Sequence, residues 1–392
     1  MTSDRIVSIQ ALRFFAAAAV VYCHTLSLAR GVSVGAEAFG PRFVEQVCAA
    51  GADVFFVISG FIITLTGPLA SKRPTATAFF WRRWSRVVPF FYIASLPALV
   101  FMSNGLNVDQ TVATLFLWPA AGSTLAFPYL GNGWTLSFEF LFYGAVSLVL
   151  IGHRTRRNLF IVISAYIGLI VLRHLLPWDG LRVLGNSLFL EFGFGVALAL
   201  AWKRGALQRL NPRIGLAAIA AGCAVFALEG YIGVNGSADG PTTLDDTVSL
   251  WRVVALGLPA LALVGGALIC ERWARGPIAS FFARLGESSY SLYLVHFWTV
   301  MGLGWLLGRA AVKPVALTVV VCSLTLAIAC GMLLHHLIER PVIDLLRGVR
   351  LPNWRTRPEL VDAGQSAAQA VFVVGEERPG EGQSGAGTVR VA

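Results

Sequence analysis

The sequence predicts an all-α fold, a polytopic membrane protein in which about ten transmembrane helices form a bundle. Of the 392 residues, 56% are hydrophobic. Only 13% are charged, about half the fraction usual in soluble domains. The apolar runs are long and continuous, which indicates spanning helices rather than the alternating strands of a membrane barrel. A soluble globular enzyme, a disordered protein and a coiled coil are excluded by the same composition.

Ten apolar runs are predicted to cross the bilayer. In chain order they cover residues 8–28, 50–70, 87–103, 134–151, 158–176, 186–202, 213–232, 249–270, 288–308 and 314–338. Arg and Lys are concentrated in every second loop, so the positive-inside rule places both termini in the cytoplasm. The net charge of +10 is thereby explained by topology, and no nucleic-acid partner is expected. We expect residues 1–345 to form the transmembrane domain and residues 346–392 a disordered cytoplasmic tail.

The first helix carries two ionisable residues, Arg13 and His24, which are costly inside a membrane and therefore functional candidates. Their spacing of eleven residues is close to three turns, so both project from one face, about 16 Å apart along the axis. We interpret them as a path through the membrane. The alternative is that Arg13 reaches the cytoplasmic interface and His24 only packs against its neighbours.

The second helix opens with Asp53, near the outer face and at about the depth of His24. A carboxylate there could hydrogen-bond the imidazole and fix its tautomer. The competing interpretation is an N-cap, in which Asp53 satisfies free backbone amides. Ser59 lies deeper in the same helix and is a further polar candidate.

The third and fourth helices contribute a cationic and an acidic candidate site. Arg83 and Arg86 precede the third helix at i, i+3 spacing and could grip one phosphate, although the positive-inside rule alone also explains them. The fourth helix begins at Trp134 and carries Glu139 with Tyr143 at i+4 on the same side. The alternative for Glu139 is a buried carboxyl neutralised by a hydrogen bond.

The later helices contain few ionisable residues. His296 is predicted near the middle of the membrane in the ninth helix. The end of the tenth helix, around Glu339 and Arg340, is interpreted as an interfacial stop. Only His335 and His336 are adjacent in sequence, so no metal is expected.

Six motifs in this order resemble the acyltransferase family 3 membrane proteins, over about residues 5–345. They are Arg13 with His24, the Gly51–Phe61 block GADVFFVISGF, RWSR at 83–86, WTLSFE at 134–139, SYSLYLVH at 289–296 and IERP at 338–341. The opening segment from Arg5 to Arg13 is most similar to the exopolysaccharide-production O-acetyltransferases of that family. One departure is Ala52, where many relatives carry Val.

The resemblance implies transfer of an acyl group, usually acetyl from cytoplasmic acetyl-coenzyme A, to a hydroxyl on a cell-surface or lipid-linked glycan. It matches His24 to the family's essential histidine. It matches Arg13, Arg83 and Arg86 to arginines at the acyl-donor end. The sequence shows no C-terminal hydrolase-like domain of the kind some relatives carry, so the membrane domain or a partner is expected to complete the transfer.

We therefore predict a multi-pass O-acyltransferase of the bacterial inner membrane, surrounded by lipids and working with polysaccharide-synthesis machinery. The predicted catalytic residues are His24 as general base, with Asp53 or Glu139 orienting it. Whether His24 also carries the acyl group transiently stays open. The predicted donor-binding residues are Arg13, Arg83, Arg86 and Ser59. The predicted acceptor-binding residues are Trp134, Tyr143 and His296.

Two alternatives compete with the enzyme. A proton-coupled secondary transporter would use His24, Glu139 and His296 as a relay, but no internal repeat between the two halves supports it. A scaffold subunit would leave the intramembrane ionisable residues without a purpose.

Overall fold

The computed structural model describes residues 6–36, 44, 48, 50–101, 107–119, 125–152, 155–176, 178–232, 249–309 and 313–348. Within these residues the chain is helical apart from turns and one isolated bridge between Val34 and Val315. The all-α prediction is confirmed. Met1–Val349 form one compact unit, and Arg350–Ala392 form a second unit that lies outside the described residues. Most of the predicted tail therefore lies there too.

The helices follow one another with short connections. The first half contains α1 (Val7–Val32), α2 (Gly51–Thr66), α3 (Ala76–Phe101), α4 (Val108–Phe116) and α5 (Trp134–Leu150). Next come α6 (Thr155–Leu175), α7 (Asp179–Leu184), α8 (Phe189–Lys203) and α9 (Pro212–Ile232). Helix α10 comprises Ser249–Arg252, a π-helical turn Val253–Gly257, and Leu258–Ile269. The chain continues with α11 (Pro277–Glu287), α12 (Ser289–Leu307), α13 (Ala316–Leu334), a π-helical turn His335–Glu339, and α14 (Arg340–Gly348).

All ten predicted spans lie on helices. Within the described ranges, eight helical stretches are long and apolar enough to cross a membrane, which confirms the polytopic membrane fold. The 16 residues of α2 make it about 24 Å long, shorter than a hydrocarbon core of about 30 Å. Helix α3 begins at Ala76 rather than at residue 87, because its arginine-bearing first turns continue the helix. The orientation of the termini stays a prediction.

Helix α2 packs against α8 with the two backbones in direct contact. A Cβ atom at Gly60 would lie 2.2 Å from the carbonyl oxygen of Phe192, and one at Gly195 would lie 2.2 Å from that of Val57. Only glycine fits at such distances, and small residues at helix interfaces are the usual means of close approach in membranes. This contact fixes α2 in the interior of the bundle.

Helix α1 is fixed at its N-terminal end by the segment that leads into α11. Both carboxylate oxygens of Glu271 accept hydrogen bonds from free backbone amides of the first turn, at 2.8 Å from Val7 N and 2.8 Å from Ser8 N. In α11, Gly286 approaches α1 so closely that a Cβ atom would lie 1.8 Å from the carbonyl oxygen of Gln10. The helix that carries Arg13 and His24 is thereby held in a fixed position.

Candidate active site

A cavity of ≈ 140 Å³, here called the inner cavity, lies between α1, α2, α3, α5 and α12. Its polar lining contains three guanidinium groups, one carboxylate, and several hydroxyl groups. These polar residues are Gln10, Arg13, Ser59, Arg83, Arg86, Thr135, Glu139, Tyr143, Ser289, Tyr290 and Tyr293. Its lining thus carries an excess of positive charge, which in a medium of low dielectric constant favours an anionic ligand.

Glu139 is the carboxylate of the inner cavity and is held by two hydroxyl groups. Tyr143, one turn further along α5, donates to Glu139 Oε1 at 2.7 Å. The Ser59 hydroxyl of α2 donates to the same oxygen at 3.0 Å. The structure therefore brings three predicted site residues together on the side of the cavity that faces the arginines.

The arginines reach the inner cavity from two helices. Arg83 donates to the Thr66 hydroxyl, and its guanidinium lies 6.0 Å from the ring centre of Tyr143. Arg13 donates to Gln10 Oε1 at 3.3 Å. The i, i+3 spacing turns Arg83 and Arg86 to the same cavity, whereas Arg82 is exposed. These side chains present several donors that are suited to phosphate oxygens.

A second cavity of ≈ 300 Å³, here called the mouth cavity, adjoins the first and shares three lining residues with it, Gln10, Arg13 and Arg86. Its other lining residues come from the end of α11, the π-helical turn after α13, and α14. They are Glu287, His335, Glu339, Arg340, Ile343, Asp344 and Arg347. The positive-inside rule predicts that this end of the bundle faces the cytoplasm. The two cavities together form an entrance lined by arginines.

His24 and His296 form a pair of adjacent, tilted rings beyond the inner cavity. Their ring centres are 5.2 Å apart, with an angle of 32° between the planes. His296 is fully buried, and its Nδ1 lies 3.3 Å from the carbonyl oxygen of Leu292. Because a carbonyl only accepts, Nδ1 carries the hydrogen of this bond, and a neutral His296 has a lone pair on Nε2. That atom has no hydrogen-bond partner among the described residues.

Tyr293 connects the inner cavity with the histidine pair. It lines the cavity, and its hydroxyl lies 3.0 Å from Thr135 Oγ1. Its ring centre is 5.9 Å from that of His296, one turn further along α12. A continuous series of side chains thus leads from the arginines through Tyr293 and His296 to His24.

Asp53 makes a different contact from the one predicted at the start of α2. Both of its oxygens accept from Arg252 of α10, at 2.8 Å from Nε and 2.7 Å from Nη2. The exposed fractions of the two side chains are 0% and 3%. The N-cap position of α2 is occupied by Ala50, so the competing N-cap interpretation of Asp53 is wrong.

Trp134 lies beside this ion pair at the start of α5. Its ring centre is 5.9 Å from the Arg252 guanidinium and 6.1 Å from the ring of Phe56. Trp134 and Asp53 are therefore at one end of the bundle, whereas Tyr143 and Glu139 are at the arginine cavity. The predicted acceptor-binding residues Trp134, Tyr143 and His296 are distributed over three places.

The sequence profile of the acyltransferase family 3, described as an acyltransferase domain, matches residues 6–334. The chain belongs to this family. Among its relatives, the exopolysaccharide production protein ExoZ of Rhizobium meliloti is 30% identical over 329 residues, covering 81% of this chain and 95% of the relative. The acyltransferase MdmB of Streptomyces mycarofaciens is 26% identical over 89% of this chain and 94% of its own length. The O-acetyltransferase OatA of Staphylococcus aureus is 25% identical over 63% of this chain and 45% of the relative.

No solved structure matches this member of the family significantly. The family profile confirms the resemblance predicted from the motifs and the predicted class of enzyme, an acyltransferase, in preference to the transporter alternative. With its apolar helices, the chain is a multi-pass membrane acyltransferase. No group of three His, Cys, Asp or Glu side chains that could hold a metal occurs in the described part of this acyltransferase.

Three buried charged residues of this acyltransferase were not predicted as site residues. Arg252 was interpreted only as a charge at a helix end, although it pairs with Asp53 across 199 positions. Glu191 of α8 is fully buried, and neither carboxylate oxygen has a hydrogen-bond partner among the described residues. Glu339 is also buried, and its Oε2 accepts from Ser291 and lies 2.8 Å from His335 Nδ1. The one sequence signal for Glu191 and Glu339 as site residues is the position of an acidic residue beside an apolar run.

Proposed function

We propose that this membrane protein is an O-acetyltransferase that moves an acetyl group from cytoplasmic acetyl-coenzyme A to a hydroxyl of a cell-surface or lipid-linked glycan. The observation that carries the proposal is the single cavity that collects Arg13, Arg83 and Arg86. Its lining residue Tyr293 contacts His296, whose ring lies beside that of His24. A polyanionic donor and a titratable imidazole are what such a transfer requires at its two ends.

The donor end is formed by the arginines. Three guanidiniums against one carboxylate leave the inner cavity with positive charge that the diphosphate of a coenzyme A ester would balance. Arg83 and Arg86 would hold those phosphates, and Arg13, which lines both cavities, would line the entry. Ser59 and Tyr143 keep Glu139 oriented among these cations. When bound, the coenzyme A thioester supplies an activated acyl group.

The distance between the two ends fits a long and flexible donor. Arg13 and His24 are eleven positions apart on one helix, which corresponds to about 16 Å along its axis. A pantetheine arm can cover that distance, whereas a compact donor cannot. At the reacting end, His296 is fully buried and shielded from water.

The chemical end is formed by the two histidines. His24 would accept the proton of the acceptor hydroxyl as general base. The adjacent His296 donates its Nδ1 hydrogen to the Leu292 carbonyl, and its ring would pack against one side of this base. In this proposal Asp53 does not orient His24 by a direct hydrogen bond, because both of its carboxylate oxygens accept from Arg252.

The acceptor and location follow from the relatives and from the charge distribution. Two relatives are named as an exopolysaccharide production protein and an O-acetyltransferase, which supports a glycan acceptor for this chain. The excess of Arg and Lys in alternate loops supports an inner-membrane protein that takes its donor from the cytoplasm. Lipids surround its exposed apolar helices, and the polysaccharide-synthesis machinery would supply the acceptor.

The test uses inverted membrane vesicles and acetyl-coenzyme A labelled in the acetyl group. We expect the wild-type protein and His174→Ala, a control at an exposed histidine of α6, to label glycan or lipid-linked material. His24→Ala is expected to abolish the labelling at equal protein level. Normal labelling by His24→Ala would refute the assigned base. Absence of donor-dependent labelling in the wild type would refute the acetyl donor.

A further inference from the structure

We propose that the mouth cavity binds the ribose 3′-phosphate of coenzyme A and that Arg340 and Arg347 are its ligands. The inference rests on the proposed function, because it extends the donor site from the inner cavity to the entrance. It assigns a binding role to α14, a helix that the motifs identified only as the end of the membrane domain.

The two cavities are arranged for one continuous ligand. Gln10, Arg13 and Arg86 line both of them, so a donor that places its diphosphate at Arg83 and Arg86 has its nucleoside end in the mouth. The mouth cavity has a volume of ≈ 300 Å³. Its lining is mainly charged, which suits a phosphorylated ribose better than an acyl chain.

Arg340 and Arg347 are placed on one face of α14. They are seven residues apart, which is about two turns and about 10 Å along the axis, and both line the mouth cavity. Both side chains are exposed, so a ligand can reach their donors without a large cost of desolvation. A guanidinium pair at this spacing can contact a phosphate and the ribose region beside it.

Two carboxylates of the mouth, Glu339 and Asp344, leave these two arginines available. Among the described residues, Arg340 has no ion-pair partner. Arg347 faces Asp344 at 3.6 Å, with 65% and 60% of the side chains exposed, and pairs of this kind contribute little. Glu339 is directed inwards, because Ser291 and His335 hold its Oε2. A phosphomonoester with a charge of about −1.5 to −2 would compete effectively for the guanidiniums.

The experiment compares two donors, acetyl-coenzyme A and acetyl-3′-dephospho-coenzyme A, with the full-length protein in proteoliposomes. For wild type we expect the KM for the dephospho donor to be about tenfold higher, since charged hydrogen bonds to one phosphate are lost. Arg340→Gln and Arg347→Gln are each expected to raise the KM for acetyl-coenzyme A about five- to tenfold at unchanged kcat. Neither change is expected to alter the KM for the dephospho donor by more than about twofold.

The controls separate recognition of the phosphate from loss of structure. Arg209→Gln removes an exposed arginine outside both cavities and is expected to behave as wild type with both donors. Arg340→Lys keeps the charge and is expected to restore part of the affinity. Arg347 lies in the last turn of an exposed helix, so Arg347→Gln remains informative even if Arg340→Gln folds poorly.

Three results would overturn the inference. Equal increases in KM for both donors would show that the arginines do not recognise the 3′-phosphate. A KM that follows the phosphatidylglycerol content of the proteoliposomes, equally for both donors, would assign the arginines to a lipid phosphate instead. Failure of the wild type to use either donor would refute the proposed function itself. This result is distinguishable from the first two, because both of those require an active enzyme.

Discussion

Asp53→Asn is expected to destabilise the protein strongly, and much more than Glu191→Gln. Asp53 and Arg252 share two short hydrogen bonds and are 0% and 3% exposed. Removing the charge of Asp53 breaks the hydrogen-bonded ion pair of a buried guanidinium, which costs about 3–5 kcal/mol. The nearby Glu191 makes no hydrogen bond to that guanidinium and does not replace the pair. Glu191 makes no hydrogen bond within the described residues. Glu191→Gln is therefore expected to lower the free energy of unfolding by less than about 1 kcal/mol.

The assay is thermal unfolding of the detergent-solubilised protein, followed by fluorescence-detected size exclusion. For a chain of this size, 3–5 kcal/mol corresponds to a decrease in apparent Tm of roughly 4–6 °C. The double variant Asp53→Asn with Arg252→Gln replaces the ion pair by two neutral amide groups and is expected to recover most of that loss. Because unfolding of membrane proteins is often irreversible, all variants are compared at one heating rate.

The same experiment separates a structural from a catalytic role of Asp53. If Asp53→Asn melts within about 2 °C of the wild type, the ion pair does not stabilise the helices and the reasoning from its burial is refuted. If that stable variant has also lost activity, Asp53 acts on the chemistry, as the sequence suggested. Loss of stability together with recovery in the double variant would support the structural role.

Three further sets of substitutions test the remaining geometry. Arg83→Gln and Arg86→Gln are each expected to raise the KM for acetyl-coenzyme A at least tenfold. Arg82→Gln, at an exposed arginine, is expected to leave that KM unchanged. Equal effects of all three substitutions would contradict the cavity assignment. His296→Asn is expected to lower kcat about tenfold and to change the pH profile of kcat while KM stays constant, because His296 positions His24. An unchanged pH profile would contradict that role. Gly60→Leu is expected to abolish folding by separating α2 from α8, and correct folding in a size-exclusion profile would contradict this packing.

The helices were largely predictable from the sequence because burial in a membrane requires long apolar runs. All ten predicted spans coincide with helices, and the errors lie at their ends. Helix α3 starts earlier than predicted, since Arg82, Arg83 and Arg86 lower the local hydropathy without interrupting the helix. The π-helical turns after Arg252 and around Glu339 leave no mark in hydropathy.

The site was predictable only where its geometry is local. The i, i+4 spacing of Glu139 and Tyr143 and the i, i+3 spacing of Arg83 and Arg86 give contacts that one helix determines. Which helices become neighbours is determined by packing between distant segments, and one sequence does not contain that information. The pairs Asp53–Arg252 and His24–His296 depend on such packing, so Asp53 was assigned to the imidazole at similar depth.

The central claim is that the arginines bind the donor and the histidine pair performs the transfer. Its most direct test measures binding and chemistry separately, with the full-length protein in nanodiscs, labelled acetyl-coenzyme A and a glycan acceptor fraction. We predict that His24→Ala binds the donor within about twofold of the wild-type Kd but transfers no label, whereas Arg83→Gln weakens binding at least tenfold. Transfer by His24→Ala, or wild-type affinity in Arg83→Gln, would contradict the account.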